Sequence, residues 1–285
     1  MTMSKKKQAP EPEFYVSATN MQTINYRVYY MKPLEKILTF IVAFVAGALI
    51  GYLFYGGIGK DEFGQATRVT VTLNLLIPGV VGLVAGKLFV PMRVQSIIKK
   101  RSTELNHQFR DMLEALTTSL GAGKNVNDSF IGVYDDLKIQ YEPDAYILKE
   151  LEVIISGIHN NVPIENVLED FGIRSGNDDI LSFANVFKVS YRKGGNIKDI
   201  IRNTHSILND KMEIAEEIET LVTSNKTEQY IMIVMPIVLI GVIKMLSPEF
   251  AANFVTPTGI ISTTISIVIF AVSYFVGRSV LDIKI

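Results

Sequence analysis

The sequence predicts an all-α protein in which four transmembrane helices, arranged as two hairpins, flank a cytoplasmic bundle of about six helices. Three observations predict this fold. Four long apolar stretches occur in two pairs, apolar residues between the pairs recur at helical spacing, and strand patterns are missing from that middle segment. The expected domains are a polar tail at 1–33, a first transmembrane hairpin at 34–91, a helical domain at 92–229 and a second hairpin at 230–285.

Composition supports a membrane protein. Apolar residues make up 48% of the 285 positions, and the mean hydropathy of +0.26 is too high for an ordinary soluble domain. The predicted spans cover about 34–56, 69–91, 230–246 and 260–281. Each span is near the roughly 20 residues that cross a bilayer core, and the third is the shortest.

The first 33 residues are polar and contain five basic side chains. Nothing in them resembles a cleavable signal peptide, so we expect the first span to be retained as an anchor. Their composition predicts a mostly disordered tail.

The basic residues that flank the spans predict the orientation. The N-terminal tail is basic, the loop at 247–259 has no Lys or Arg, and the loop at 57–68 carries two that are offset by Asp61 and Glu62. Both termini and the middle segment are therefore expected in the cytoplasm. The basic residues used here are Lys5, Lys6, Lys7, Arg27, Lys32, Lys60, Arg68, Arg93, Lys99, Lys100, Arg101, Arg278 and Lys284.

Charge and cysteine content exclude several kinds of site. The chain has no cysteine, which rules out disulfides and thiolate metal sites. Residues 92–229 carry 16 basic and 22 acidic side chains, a net charge of −6, which argues against a nucleic-acid-binding role. The basic cluster at the start of this segment is suited to anionic membrane lipid.

Apolar stripes in the middle segment predict six helices, and the last is the longest. Its stripe drifts little over almost four heptads, so we expect it to pack along a neighbouring helix. The stripe contains Ile197, Ile200, Ile201, Thr204, Ile207, Leu208, Met212, Ala215, Ile218, Leu221 and Val222.

The joints between these helices share a pattern, in which Gly or Asn at a helix end precedes an apolar residue and a polar helix start. It occurs in AGKNVNDSF with Gly121 and Gly123, in NNVPIENVLEDF, and in KGGNIKDIIRN with Gly194, Gly195 and Asn196. Glycine and asparagine adopt the left-handed conformation that closes a helix. Asn196, with Asp199 three residues later, is typical of an N-cap.

The stretch Gly121–Lys124 has the Gly-Lys of a phosphate-binding loop but fails its other requirements. That loop needs a preceding strand, a glycine five residues before the second glycine, and a Ser or Thr after the lysine. Thr118 and Asn125 occupy those two positions, and the preceding residues have helical periodicity. We therefore predict a helix–helix turn, and the same for Lys193–Asn196.

We predict no catalytic, cofactor or metal site. The three histidines, His107, His159 and His205, lie on different predicted helices without metal-ligand spacing. The acidic residues Glu213, Glu216, Glu217 and Glu219 are most simply a solvated helix face, with a surface for a basic partner as the alternative.

Several motifs together resemble the type II secretion system F domain. The region from Tyr191 to Val242 has a Gly-Gly-Asn turn opening a long helix that ends in a span containing Pro236. MLEALTTSLGAGKNVNDSF and NVPIENVLEDFGIRS, with Arg174, match the first half of the domain. The resemblance covers roughly 100–282, and one such domain between two pairs of spans is similar to the tight-adherence (Tad) B/C type. Lys124 and Asn125 depart from the apolar residue that many relatives carry after the glycine.

The resemblance implies an inner-membrane assembly platform of a type IV or Tad-like pilus or of a type II secretion system. Such a platform couples a cytoplasmic secretion or pilus ATPase to the assembly of pilin or pseudopilin subunits and hydrolyses nothing itself. It also implies pairing with itself or with a paralogous platform protein. Under this interpretation the interface candidates are Gly121, Gly123, Gly194, Gly195, Asn196, Glu213, Glu216 and Glu217.

Two alternatives remain open at this point. One is a transporter or channel, which usually places ionisable residues in mid-membrane, where the predicted spans have none. The other is a membrane signalling protein whose helical domain binds a cytoplasmic partner, and four spans below a helical bundle are compatible with it.

Overall fold

The structure, a computed structural model, describes residues 11–59 and 65–281. Nine helices and one two-stranded sheet make up the regular structure of these residues. Their order is β1 (Phe14–Val16), β2 (Gln22–Ile24), α1 (Pro33–Tyr55), α2 (Arg68–Gly121), α3 (Val126–Gln140), α4 (Tyr146–His159), α5 (Ile164–Ser175), α6 (Asp178–Arg192), α7 (Ile197–Leu246), α8 (Pro248–Phe254) and α9 (Pro257–Leu281). The predicted helical class is confirmed. Some of the basic residues used to predict the orientation lie outside the described ranges, namely Lys5, Lys6, Lys7, Lys60 and Lys284.

The chain divides into two compact units. Unit 1 combines Met1–Tyr30 with Val94–Glu213, and unit 2 combines Met31–Arg93 with Ile214–Ile285. The helices α2 and α7 each contribute residues to both units.

Unit 1 has one apolar core formed by six helical segments: the last turns of α2, the helices α3 to α6, and the first turns of α7. The number agrees with the predicted bundle. Phe109 of α2 lies at its centre and contacts Phe183 edge-on at a ring-centroid distance of 5.5 Å. The largest fully buried side chains are Tyr26, Phe109, Phe130, Phe171, Phe187, Leu105, Met112, Leu113, Leu116, Ile147, Leu148 and Leu151.

The N-terminal segment differs from the prediction. Residues 11–30 form an antiparallel hairpin, in which Tyr15 pairs with Thr23, followed by a segment that packs into unit 1. Tyr26 is fully buried in the core. The expectation of a mostly disordered tail is therefore wrong for these residues, because their order comes from contacts with distant helices. The prediction for residues 1–10 concerns residues outside the described ranges.

Four helices of unit 2 are long and apolar enough to cross a membrane. They are Pro33–Tyr55, the apolar part of α2, the apolar part of α7, and Pro257–Gly277. Each overlaps one predicted span. The first and fourth end within a few residues of the predicted boundaries, whereas α2 and α7 extend far beyond their spans, to 54 and 50 residues. Pro78, Pro91 and Pro236 lie inside these two helices without ending them. The short helix α8 was not predicted.

Glycines bring α1 and α2 into close contact. A Cβ atom on Gly47 would lie 2.7 Å from Cβ of Ala85, and one on Gly82 would lie 2.7 Å from the carbonyl oxygen of Phe44. Both distances are shorter than van der Waals contact, so the packing requires hydrogen at these positions. Small residues at i and i+4 commonly serve this purpose in membrane helices.

This contact predicts that Gly82→Ala destabilises unit 2, whereas Gly79→Ala does not. A Cβ on Gly79 meets no atom within 4 Å. Both changes raise helix propensity equally, so the difference between them isolates the collision with Phe44, which we expect to cost about 1–3 kcal/mol. Thermal unfolding of the detergent-solubilised variants measures it, and equal midpoints would contradict the packing.

Candidate functional site

The first joint is a tight turn between α2 and α3. Gly123 has a φ of +88°, and its N–H donates to the carbonyl oxygen of Leu120 at 3.1 Å. Asn125 caps α3 by accepting a hydrogen bond from the backbone N–H of Asp128 at 2.8 Å. The residues before Gly121 are helical, so the predicted helix–turn–helix is confirmed here.

The third joint connects α6 to α7 in the same manner. Gly194 has a φ of +67°, and the N–H of Gly195 donates to the carbonyl oxygen of Ser190 at 2.8 Å. Asn196 accepts from the backbone N–H of Asp199 at 3.4 Å, and its side-chain amide donates to the Asp199 carboxylate. The predicted N-cap is confirmed.

The two joints lie next to each other in unit 1. Nζ of Lys198, in the first turn of α7, is 3.9 Å from the position of a Cβ on Gly121. Two turns further along, Nε2 of His205 is 4.0 Å from an Oε2 of Glu114. The C-terminal turns of α2 and the N-terminal turns of α7 therefore lie side by side, and the two segments are antiparallel. The exposed residues 121–125, 193–196 and 198 form what we call the joint surface. Ile197 is buried and is not part of it.

The predicted acidic residues lie elsewhere on α7. Glu213, Glu216, Glu217 and Glu219, which we call the acidic stretch, are all exposed. Asn196 and Glu213 are 17 residues apart on one helix, which corresponds to about 25 Å. The structure therefore brings the two glycine joints together in unit 1, whereas of the acidic stretch only Glu213 belongs to this unit.

The acidic stretch begins where the core contacts of α7 end. The buried residues of α7 are Ile197, Ile201, Leu208 and Met212. Of the predicted stripe beyond Met212, Ala215, Ile218 and Val222 are only half-buried and Leu221 is exposed. This part of α7 therefore carries both exposed carboxylates and partly exposed apolar side chains.

A buried polar cluster that no pattern in the sequence predicted joins α4, α5 and the N-terminal segment. Arg174 donates two hydrogen bonds to the Glu150 carboxylate, at 2.9 and 2.7 Å, and a third from Nε to Asp170 at 2.8 Å. Tyr26 donates from its hydroxyl to Glu150 at 2.8 Å. Both charged groups of the Arg174–Glu150 pair are only 2% exposed.

Two hydrogen bonds to backbone atoms also join this cluster to the N-terminal segment. The N–H of Tyr26 donates to the carbonyl oxygen of Arg174 at 3.1 Å, and Nη1 of Arg174 donates to the carbonyl oxygen of Ile24 at 3.3 Å. All three guanidinium nitrogens have acceptors, which is the condition under which a buried ion pair is tolerated. The cluster is therefore a clamp that fixes the hairpin on the bundle.

The electrostatics of the clamp follow from its burial. Burial raises the pKa of the Tyr26 phenol well above its ordinary value, and the adjacent Glu150 carboxylate raises it further. Burial alone disfavours the charged form of Arg174. Its hydrogen bonds to Glu150 and the negative charges of Glu150 and Asp170 outweigh that effect, and the pKa of Arg174 is raised.

The remaining titratable residues form no metal site in the described part of the chain. No group of three or more His, Asp or Glu side chains with metal-binding geometry occurs there. The three histidines lie on α2, α4 and α7, as predicted. The contact between the Glu114 carboxylate and the His205 ring was not predicted.

Comparisons with known proteins found no matching family model, no matching curated protein and no matching solved structure.

The clamp predicts that Arg174→Met is severely destabilising. The substitution leaves the Glu150 carboxylate buried without a cation, which costs about 3–5 kcal/mol. Arg202→Met is the matched control, because Arg202 is 59% exposed and pairs with Asp199 at a helix surface, where an ion pair contributes at most about 0.5 kcal/mol. Chemical denaturation followed by circular dichroism distinguishes the two, and a similar loss in both variants would argue against the clamp.

The raised pKa of Tyr26 predicts a loss of stability at alkaline pH. The folded state binds the phenolic proton more tightly than the unfolded state, so the stabilisation is fully present below about pH 10 and is lost as pH rises further. Tyr26→Phe is expected to be less stable than the natural chain by about 1–2 kcal/mol at pH 8, and the difference should shrink above pH 10.

Comparing Tyr26→Phe with the natural chain isolates the contribution of the Tyr26 hydroxyl. Tyr134 and Tyr141 also have raised pKa values, from hydrogen bonding to Glu152 in the first case and from burial in the second, but both are present in the two proteins. A stability difference that stays constant between pH 8 and pH 11 would contradict the assignment.

Proposed function

We propose that this chain is an inner-membrane assembly platform, of the pilus or type II secretion kind, that transmits movement from a cytoplasmic ATPase to pilin or pseudopilin subunits. The observation that carries the proposal is the helix α7. It begins in the joint surface, contributes four buried residues to the core of unit 1, and continues without a break to Leu246. An uninterrupted helix passes displacement and torque from one end to the other, which a flexible linker cannot do.

In this proposal, unit 1 is the cytoplasmic part and the four apolar helices of unit 2 form two hairpins in the membrane. The basic residues Arg93, Lys99, Lys100 and Arg101 follow the apolar part of α2, and the loop after α7 has no basic residue. This distribution favours a cytoplasmic unit 1.

The acidic stretch of α7 is the proposed contact for a basic surface of the ATPase. Its four carboxylates are exposed, and the helix has no buried residue beyond Met212. The joint surface is the second proposed contact, because its glycines are exposed and a Cβ on Gly123 or Gly194 would meet no neighbouring atom within 4 Å. The proposed membrane partners are pilin subunits and a second platform chain.

Continuity of α7 predicts different effects for two insertions after Ser224. Four glycines interrupt the helix and are expected to abolish filament assembly while membrane insertion persists. Four alanines add about one turn, so the helix stays continuous with a rotation of only about 40°, and assembly should be largely retained. Counts of surface filaments and membrane fractionation provide the readout. Normal filament numbers with the glycine insertion would contradict the proposal.

The acidic stretch predicts a charge-dependent interaction. Replacing Glu213, Glu216 and Glu217 by Gln should reduce the amount of ATPase that co-purifies with the chain from membranes by about tenfold at low salt. The matched control replaces three exposed carboxylates of unit 1, Asp135 and Asp136 by Asn and Glu142 by Gln, with the same change in net charge.

The same purification separates the proposal from its rival. A sensor kinase in place of an ATPase would support a signalling protein, and an equal loss in both triple variants would show that the acidic stretch has no special role.

A further inference from the structure

A half-open cavity of about 310 Å³ lies in unit 2, where the ends of three apolar helices meet α8. Its apolar walls are Phe54 of α1, Ile240 of α7 and Phe254 of α8. Its α9 wall presents Ser262, Thr263 and Ser266, and the hydroxyl of Ser266 donates back to the carbonyl oxygen of Ser262 at 2.9 Å. Asn253 of α8 is a fourth polar lining residue, but most of the lining surface is contributed by apolar atoms.

A lysine lies at the edge of this cavity. Nζ of Lys244 donates to the carbonyl oxygen of Leu53 at 2.7 Å and lies 4.5 Å from the ring centroid of Phe254. A second, longer contact of 3.4 Å joins Nζ to the carbonyl oxygen of Phe54. Lys244 thus contacts two of the residues that line the cavity.

The charge of Lys244 is only partly compensated by these contacts. The carbonyl oxygens at the end of α1 and the aromatic face of Phe254 stabilise an ammonium group but carry no net charge. Within the described residues, no carboxylate oxygen lies within 4.0 Å of Nζ. The site therefore combines an apolar cavity with a positive charge at its edge, which is suited to an amphiphilic anion.

We propose that the cavity binds a membrane phospholipid with an anionic headgroup, whose acyl chain fills the cavity and whose phosphate lies against Lys244. The lining helices α1, α7 and α9 are apolar enough to span a bilayer, so the cavity lies where phospholipid is the surrounding solvent. The volume lies at the lower end of the range for ligand pockets, roughly 300–1,000 Å³.

The cavity is too small to enclose one turn of a partner helix. An α-helix with its side chains is roughly 10 Å across and rises about 5.4 Å per turn, so a single turn fills roughly 400 Å³. That exceeds the 310 Å³ of the cavity. An acyl chain is narrow, so part of one can fill the cavity. The proposal depends on membrane insertion of the protein but not on its role as a platform.

The test is native mass spectrometry of the purified full chain, titrated with phosphatidylglycerol or with neutral phosphatidylcholine. We expect the natural chain to bind phosphatidylglycerol more tightly. Lys244→Gln should lower its affinity for phosphatidylglycerol about fivefold with little effect on phosphatidylcholine, and Lys244→Arg should retain the preference. Lys87→Gln, at a lysine in the apolar part of α2, is the matched control and should bind as the natural chain does.

A second variant tests the cavity itself. Ser262→Leu places a larger side chain in the cavity and is expected to reduce retention of both lipids, whereas Ser273→Leu, on the same helix outside the lining, is not. Size-exclusion chromatography and circular dichroism establish that each variant is folded. Equal binding of the two lipids by the natural chain, an equal loss in Lys87→Gln and Lys244→Gln, or undiminished retention in Ser262→Leu would overturn the proposal.

Discussion

The structure depends on one constraint: in a lipid bilayer, every backbone N–H and C=O group must find its partner within the protein. An apolar segment meets this constraint locally by forming a helix, and the four candidate spans do so. Side-chain packing then decides how the helices associate, as with Gly47 and Gly82 at the contact between α1 and α2. Where a helix ends, its last carbonyl oxygens need other donors, and the ammonium of Lys244 supplies one to Leu53.

The second feature of the fold is that α2 and α7 do not end at the edge of their apolar parts. Both continue as amphipathic helices whose apolar residues enter the core of unit 1, through Leu105 and Phe109 in α2 and through Leu208 and Ile201 in α7. The clamp of Tyr26, Glu150 and Arg174 then ties the N-terminal segment to the helices between them. The continuity of α2 and α7 is the observation on which the proposed platform function rests.

Local signals in the sequence were sufficient for much of this structure. Hydropathy located the four helices that are long and apolar enough to cross a membrane. The glycines and asparagines near Gly123 and Gly194 identified the turns, because helix ends are determined by a few adjacent residues. Contacts between distant residues could not be predicted in this way. Tyr26 and Glu150 are 124 positions apart, and the strands of the hairpin have only three residues each, too few for a recognisable alternation. The cavity beside Lys244 is likewise lined by four helices and depends on their packing.

The proposed function requires unit 1 to lie on the cytoplasmic side of the membrane, because a cytoplasmic ATPase can act on it only there. The chain has no cysteine, so single substitutions at exposed positions report accessibility without background. We would introduce Ser182→Cys in α6 or Thr258→Cys in α9 and label intact spheroplasts with a membrane-impermeant maleimide. The account predicts labelling of the position 258 variant in intact cells and of the position 182 variant only after lysis. Labelling at position 182 in intact cells would contradict it.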